Sequence, residues 1–513
     1  MERLDFEDGI INFFYKPQEA PSEENEDAAS SESVEKICER AAERYESGNL
    51  EQALKLWEIA AGRGCDHAQF CLAFCFFEGI GVRADYSAAM RLFEKSAGQG
   101  NSRAQYYLAI CYEQGLGADA DVAKAFDLLQ KSAEQDDLYA QVRLGTYYRE
   151  YGDLEFADNK AFYWFSQAAK QNFPPAVYRL GECCFEGTGQ PSDKEKAIKL
   201  FEKAAEKEYM PAVYKLGLCY ENGDGAEKDL NKAAEYYSKA AQGGYSPAKY
   251  LLALFYENGT AVEQSYEEAV RLYKEAAEDG YPEAQNAYGW CFVVGKTVKK
   301  NAYEAARWFQ RAAKQGDMRA QYNLAVCYEE GRGVIQNLEK AYNWYLQSAL
   351  QGDDRAQLHV GWCYQVGNGV KADGKSAFEW LEKSALQGNA QAQSDLGYCY
   401  FNGIGTKKDK AKGFNWYLKA AEQSNVMAMY NIGCSYRHGD GVKKNGEKAV
   451  EWYEKAARAG STDALLSMGY MYEHGKGVKK DLSKAYCCYK KVYDSGETTA
   501  EILLSKKKFS KIN

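Results

Sequence analysis

The chain has 513 residues, a formal net charge of −10 and 14% aromatic side chains. One hydrophobic core rarely serves more than about 250–300 residues, so several domains or a repeat array are required. The aromatic content excludes a wholly disordered chain. No run reaches the roughly 18–20 apolar residues of a membrane helix, and the acidity argues against nucleic acid, whose phosphates need a basic face.

The charge is unevenly spread. Residues 1–35 hold 11 acidic and 2 basic side chains, whereas residues 440–513 hold 15 basic and 10 acidic ones. Residues 1–32 therefore read as an acidic arm. Leu4, Phe6, Ile10, Ile11, Phe13, Phe14 and Tyr15 lie among acids, and disorder is expected from Pro17 onward. Acidic-hydrophobic segments of this kind dock onto partners. Three roles stay open: a binding peptide, a ligand in cis for a basic stripe on the same chain, or a simple cap. The start does not have the pattern of a secretory signal, and a cytoplasmic location is expected.

Residues 33–64, with Ala42, Tyr45, Gly48, Asn49, Ala53 and Trp57, read as a helical hairpin with a short loop that caps the N-terminal end of a longer array. From residue 65 a strict period of 36 sets in. The alanine at 68 recurs at 104, 140, 176, 212, 248, 284, 320, 356, 392, 428, 464 and 500. A second series runs from Ala53 through Ala89 and Ala125 to Ala485, broken once at Gly413. Residues 65–496 are thus twelve units.

Within one unit, Ala356, Val360, Cys363, Tyr364 and Gly367 lie on one helical face. Ala377, Trp380, Leu381, Ser384 and Ala385 lie on a second. Gly367 suits the left-handed position that ends a helix. Pro174, Pro175, Pro211, Pro247 and Pro282 fall where first helices begin, a position that tolerates a missing N–H. No segment reads as a strand. The expected fold is all-α: an α-solenoid superhelix of about thirteen stacked hairpins, since neither face of a hairpin can be buried alone. Residues 497–513, with Ala500 and Lys506–Lys508, are expected to form a capping helix and basic tail.

The pattern Ala-x3-Leu-Gly-x-Cys-Tyr-x2-Gly-x-Gly, followed by Trp-Tyr-x2-Ala-Ala, is seen in Ala392, Leu396, Gly397, Cys399, Tyr400, Gly403, Gly405, Trp416, Tyr417, Ala420 and Ala421. It resembles the Sel1-like repeat family over residues 65–496, while residues 33–64 resemble a tetratricopeptide unit. The resemblance implies a non-catalytic scaffold or adaptor that holds partner proteins or extended peptides on the concave face, lined by the first helices. It also leaves two alternatives: a cysteine-rich enzyme acting on cell-wall or β-lactam substrates, or a purely structural assembly subunit.

Chemistry-bearing clusters are few. Cys75, Cys111, Cys183, Cys219, Cys291, Cys327, Cys363 and Cys399 share one repeat position, filled elsewhere by Tyr147, Phe255, Ser435 and Met471. Stacked hairpins hold such positions about 8–10 Å apart, beyond the roughly 7 Å reach of a disulfide, so free core thiols are expected. Cys38, Cys65, His67, Cys71 and Cys75 carry soft ligands, but packing is the favoured reading and no metal or cofactor is assigned. Gly369–Ser376 spells a phosphate loop, yet a helix precedes it where a strand is needed. His438 and His474 fall at helix C-termini, and carboxylates are expected singly on solvated faces. Trp164, Trp308, Trp344, Trp380, Trp416 and Trp452 recur in the second helix as expected core residues.

With Ala68, Leu72, Cys75, Phe76 and Gly79 turned to the core, the positions of His67, Cys71, Phe74 and Glu78 share the groove-facing stripe. There Trp290, Val294, Val326, Trp362, Val366 and Tyr398 form a candidate apolar patch. His359 lies near it, and Arg143, Arg179 and Lys215 are expected as a basic row beside it. Large exposed apolar patches mark interfaces, with Trp and Tyr as favoured anchors.

Overall fold

The computed structural model describes residues 32–150 and 156–495. Twenty-six helices, α1 (Val34–Glu46) to α26 (Leu482–Asp494), and no strand occur among the described residues. They pair into thirteen hairpins, and within each of two units successive hairpins pack on one another, which is an α-solenoid. No described helix is long and apolar enough to cross a membrane. The acidic arm up to residue 31 and the C-terminal cap over 497–513 lie outside the described residues.

The chain divides into two compact units, Met1–Ala248 and Lys249–Asn513. In the first, α1 and α2 (Leu50–Gly62) are joined through Ser47, Gly48 and Asn49 alone. Later hairpins have longer loops, such as the one between α3 (Asp66–Glu78) and α4 (Tyr86–Gly98). In the second unit the hairpins run as α13 (Ser246–Asn258) with α14 (Tyr266–Glu278), α15 (Pro282–Val294) with α16 (Ala302–Lys314), α17 (Met318–Glu330) with α18 (Leu338–Leu350), and α19 (Asp354–Val366) with α20 (Gly374–Leu386). Next come α21 (Ala390–Asn402) and α22 (Lys410–Glu422).

Local chemistry sets each boundary. Apart from α8 (Ala157–Lys170), capped by Phe156 with no side-chain bond, second helices start at a side chain that accepts from the exposed first-turn N–H groups: Asp373 from Lys375 and Ser376, Asp409 from Lys412, Asn445 from Lys448. Asp409→Ala is expected to destabilise its hairpin by about 1 kcal/mol, read as faster amide exchange at Lys412 and in the next turn of the helix.

First helices end on a glycine in the left-handed region, such as Gly367 at φ +82°, whose N–H reaches the Cys363 carbonyl. The second glycine of the Gly-x-Gly pair has another task. A Cβ on Gly369 would lie 2.1 Å from the carbonyl oxygen of Leu338, at the start of α18 in the preceding hairpin. The pair is a helix stop followed by a point of close approach.

Hairpins are tied to one another by amide pairs in which an exposed glutamine donates to a buried one. Gln351 donates to Gln321, Gln387 to Gln357 and Gln423 to Gln393, at 2.8, 2.8 and 3.0 Å. The partner glutamines reach carbonyls of the preceding helix, Gln357 bonding Ala349 at 3.2 Å. Buried polar groups satisfied in this way fix the register between hairpins.

Several carboxylates are not on solvated faces. Tyr237, Tyr273, Tyr345 and Tyr489 are buried and donate their phenol O–H to Glu221, Glu257, Glu329 and Glu473, at 2.5 to 2.7 Å. This corrects the expectation of solitary surface carboxylates: a buried phenol needs an acceptor. Of the recurring tryptophans, Trp308 is buried. Trp380, Trp416 and Trp452 are half-buried, each under a lysine ammonium about one helical turn on, at 3.9, 4.0 and 4.0 Å from the ring centre.

Candidate interaction surface

The groove-facing stripe of the second unit carries large apolar groups outside the core. Trp290 is 45% exposed, Val294 53%, Val366 65% and Tyr398 48%. Trp290 stands edge-on to Phe309, 6.1 Å away. Trp290 and Val294 line a cavity of about 870 Å³ whose walls come mainly from the first helices α13, α15, α17 and α19, with α14 at one side.

The rest of the candidate patch is divided. Val326 is half-buried against the cluster around Tyr345. His359 stacks on Tyr345 at 4.6 Å and meets Trp362 at 5.0 Å. Its Nε2 lies 3.3 Å from the Tyr322 hydroxyl and its Nδ1 3.8 Å from Glu329. Burial pushes the imidazole below its ordinary value, against the pull of Glu329, so it is neutral at pH 7. Trp362 is half-buried and its Nε1–H donates to Asp395 at 2.7 Å. Burial pushes Asp395 up, and the bonds from Trp362 and Gln391 offset part of that. Val326, His359 and Trp362 therefore brace the surface, while Trp290, Val294, Val366 and Tyr398 present it.

Arg143, Arg179 and Lys215 lie in the first unit, and each is engaged. Arg143 pairs with Glu113, its Nε 3.3 Å from Oε2. Arg179 pairs with Glu182 at 2.8 Å. The Lys215 ammonium lies 4.9 Å above the Phe185 ring. The two arginines, paired with carboxylates, offer little net positive field, and Lys215 alone of the row keeps its charge.

Other cavity residues do not stand out in the sequence. Arg319 and Arg355 occupy the His67 position of two consecutive repeats, and both line the cavity. Arg355 forks onto Asp353, at 2.8 and 3.3 Å, and covers the Tyr322 ring at 4.4 Å. Arg319 is exposed. Deeper in, Asn323 Nδ2 donates to Asn286 Oδ1 at 2.8 Å, a pair that is almost fully buried. A signal for the arginines does exist, since both sit on the stripe that carries Trp290, but at this end of the chain the apolar members of the stripe overshadow them.

The remaining clusters take structural roles. The cysteines of the core series carry free thiols, and all but Cys291 are buried. Burial pushes Cys75 and Cys111 up to about 12 and Cys363 and Cys399 up to about 11, which suppresses the reactive thiolate. Cys38 and Cys65 bring their sulfurs to 3.6 Å, and Cys71 lies 3.5 Å from His67. Among the described residues no three His, Cys, Asp or Glu side chains are placed to hold a metal. In the phosphate-loop look-alike, Asp373 accepts the N–H groups of Lys375 and Ser376, and the Ser376 hydroxyl at 2.6 Å. A carboxylate already fills the place a phosphate would take.

The family described as Sel1 repeat matches thirteen segments: residues 40–65, then 66–101 and onward without a large break to 462–497. A protective antigen present in uropathogenic Escherichia coli strains is 30% identical, over 88% of this chain and 97% of that one, with a TM-score of 0.53. A Sel1 repeat protein from Oxalobacter formigenes is 32% identical over 58% of this chain and 87% of its own, with a TM-score of 0.42. No curated protein matches. Repeated hairpins, the shared glycine and alanine positions and thirteen matched segments agree: the chain belongs to the Sel1 repeat family.

Proposed function

We propose that the chain is a non-catalytic interaction scaffold, holding partner proteins or extended peptides along the first-helix face of its second unit. The observation that carries this reading is the cavity beside Trp290 and Val294, continued by exposed Val366 and Tyr398 on α19 and α21. Large apolar side chains left in water on one face of successive repeats find their free-energy minimum under a partner. The repeat fold is typical of protein-interaction scaffolds. The acidic balance of the chain does not favour nucleic acid. The raised thiols do not favour a cysteine nucleophile, and a reducing, cytoplasmic compartment suits them.

Trp290→Ala is the informative variant, because its ring is half in water. Trp362→Ala is less so, since it also removes one of the two hydrogen bonds that hold the part-buried Asp395 carboxylate. Partners captured from source-cell extract by the wild-type chain are expected to be lost or weakened at least tenfold on Trp290→Ala, with unchanged thermal unfolding. Equal recovery by both chains would place binding elsewhere.

A further inference from the structure

The cavity beside Trp290 holds polar groups that an apolar docking surface does not require. Arg319 faces the same cavity as Trp290, Asn286 and Asn323. Among the described residues of the second unit, other arginines are committed. Arg271 pairs with Glu268 and Glu275, Arg307 with Glu304, Arg355 with Asp353 and Arg458 with Glu454, while Arg311 lies 4.4 Å over Trp308. Arg319 has no carboxylate within ion-pair distance and no ring beneath it among the described residues. The bond between Asn323 and Asn286 uses one donor and one acceptor. It leaves the Asn323 Oδ1 acceptor and the Asn286 Nδ2 donor without a bond to any described residue. Neither atom is sealed from solvent without a partner. One acceptor and one donor together are what the N–H and C=O of an extended peptide residue need.

The net charge of the wall fixes what kind of anion fits. Arg355 is neutralised by Asp353, Glu257 accepts the Tyr273 phenol, and the Lys296 ammonium rests on the Tyr266 ring. The charges of Glu257 and Lys296 persist but are opposite in sign, so the lining keeps one net positive charge, that of Arg319. Glu283 and Asp317 are near enough to act on the Tyr250 phenol beside it, and they disfavour a dianion such as a phosphate group. A single carboxylate balances the site.

Resting on the scaffold reading of this face, we propose that the cavity binds an extended internal segment of a partner protein with an acidic side chain close in sequence to a large apolar one. The carboxylate pairs with Arg319, the apolar side chain packs on Trp290 and Val294, and the Asn286–Asn323 pair holds the backbone between them. A guanidinium fork meeting a carboxylate is among the stronger polar contacts available to a half-open site, and here it selects among apolar segments that would otherwise bind alike.

The test is selection of displayed random 16-residue peptides on the full chain, followed by binding of synthetic, end-blocked versions of the recovered sequences. Recovered peptides are expected to share Asp or Glu within a few positions of Trp, Phe or Leu. Changing that acid to its amide is expected to weaken binding about tenfold to the wild type, the scale of one charged hydrogen bond. It is expected to have little effect on Arg319→Gln, whose own affinity has already fallen by the same factor. Arg319 is exposed, so this variant keeps its unfolding profile. Peptides lost on Trp290→Ala but indifferent to Arg319→Gln would overturn the acidic requirement and leave the scaffold reading standing. Peptides that bind only with a free C-terminus would overturn the internal-segment assignment. A selection yielding no peptide dependent on Trp290 or Arg319 would overturn the inference, and capture of a folded partner through Trp290 would then still distinguish the scaffold reading from it.

Discussion

Replacing Gly369 by alanine is expected to destabilise the contact between the α19–α20 and α17–α18 hairpins by about 2–5 kcal/mol. Two terms combine. The residue sits at φ +71°, where a Cβ costs roughly 1–2 kcal/mol. That Cβ would also lie 2.1 Å from the Leu338 carbonyl oxygen, 2.6 Å from its carbon and 3.0 Å from the Glu339 nitrogen. These are backbone atoms at the start of a helix, so no rotamer change relieves the clash. The hairpins must move apart, at a further cost of the size seen on overpacking a core, about 1–3 kcal/mol. Gly367→Ala supplies the control within the same loop. Its φ is +82°, but its Cβ would meet nothing closer than 3.6 Å, so only the conformational term of roughly 1–2 kcal/mol applies. Stability in a repeat array is a sum of repeat and interface terms, so a single denaturation midpoint is a poor readout. Hydrogen exchange resolved by repeat is the measurement. Gly369→Ala should open the amides of α17 to α20 while distant hairpins of the same unit keep their protection. Equal effects from the two variants would mean that the close approach contributes nothing.

The same two glycines show how far the sequence could be read. Their 36-residue recurrence and the alanines in step with them declare hairpins, stacking and twelve units of 36, because small residues are required wherever backbones meet. The cysteine slot was legible for the same reason. What escaped was pairing across the hairpin. Glu221, Glu257, Glu329 and Glu473 each precede by 16 residues the tyrosine they satisfy. Where that second position is Phe309 or Leu381, the first is Val293 or Gln365. The pairing is partial, since Tyr417 meets Phe401 and Tyr453 bonds Cys434 instead, and it becomes visible only when the two positions are known to face each other. Charge was harder still. Arg143 and Arg179 looked like a basic row by formal charge, and their field is cancelled by Glu113 and Glu182. Arg319, further along the chain than any residue of that row, has no carboxylate within ion-pair distance among the described residues, although Asp317 lies near enough to feel it. Formal charge is a property of sequence, whereas net field depends on which neighbour arrives within a few ångströms.

Above about pH 9 the protein is expected to lose stability steeply, through side chains that carry no charge at pH 7. Burial raises the core thiols to about 11 or 12, while an unfolded chain ionises them near 8.5–9. A group whose folded pKa is raised contributes stability that is complete below its unfolded pKa and is lost as pH climbs toward the folded one. By pH 10 each such thiol has given up about 1.4 kcal/mol or more. The phenols follow one unit later. Tyr237, Tyr273 and Tyr345 are pushed well above their ordinary value by burial first and then by the bond to Glu221, Glu257 or Glu329, since a phenolate would face a carboxylate. Their contribution is intact to pH 10, and by pH 11 the three together lose about 4 kcal/mol. Because thiol and phenol recur with the repeat, the loss is distributed along the array and not concentrated at one hinge. Residues 426–461 supply an internal comparison, with Ser435 in the thiol slot, and should hold their structure to higher pH than residues 390–425, which carry Cys399. Following helix content alongside thiolate absorbance near 240 nm and tyrosinate absorbance near 295 nm tests this directly. Both chromophores should appear together with loss of helix. Thiolate absorbance near pH 9, in a chain that keeps its full helix content and in excess of what the exposed Cys487 and the part-buried Cys38, Cys65 and Cys434 can supply, would show that the cysteine slot is open to water, and that the small side chains of the repeat are not the sealed seam on which the stacking depends.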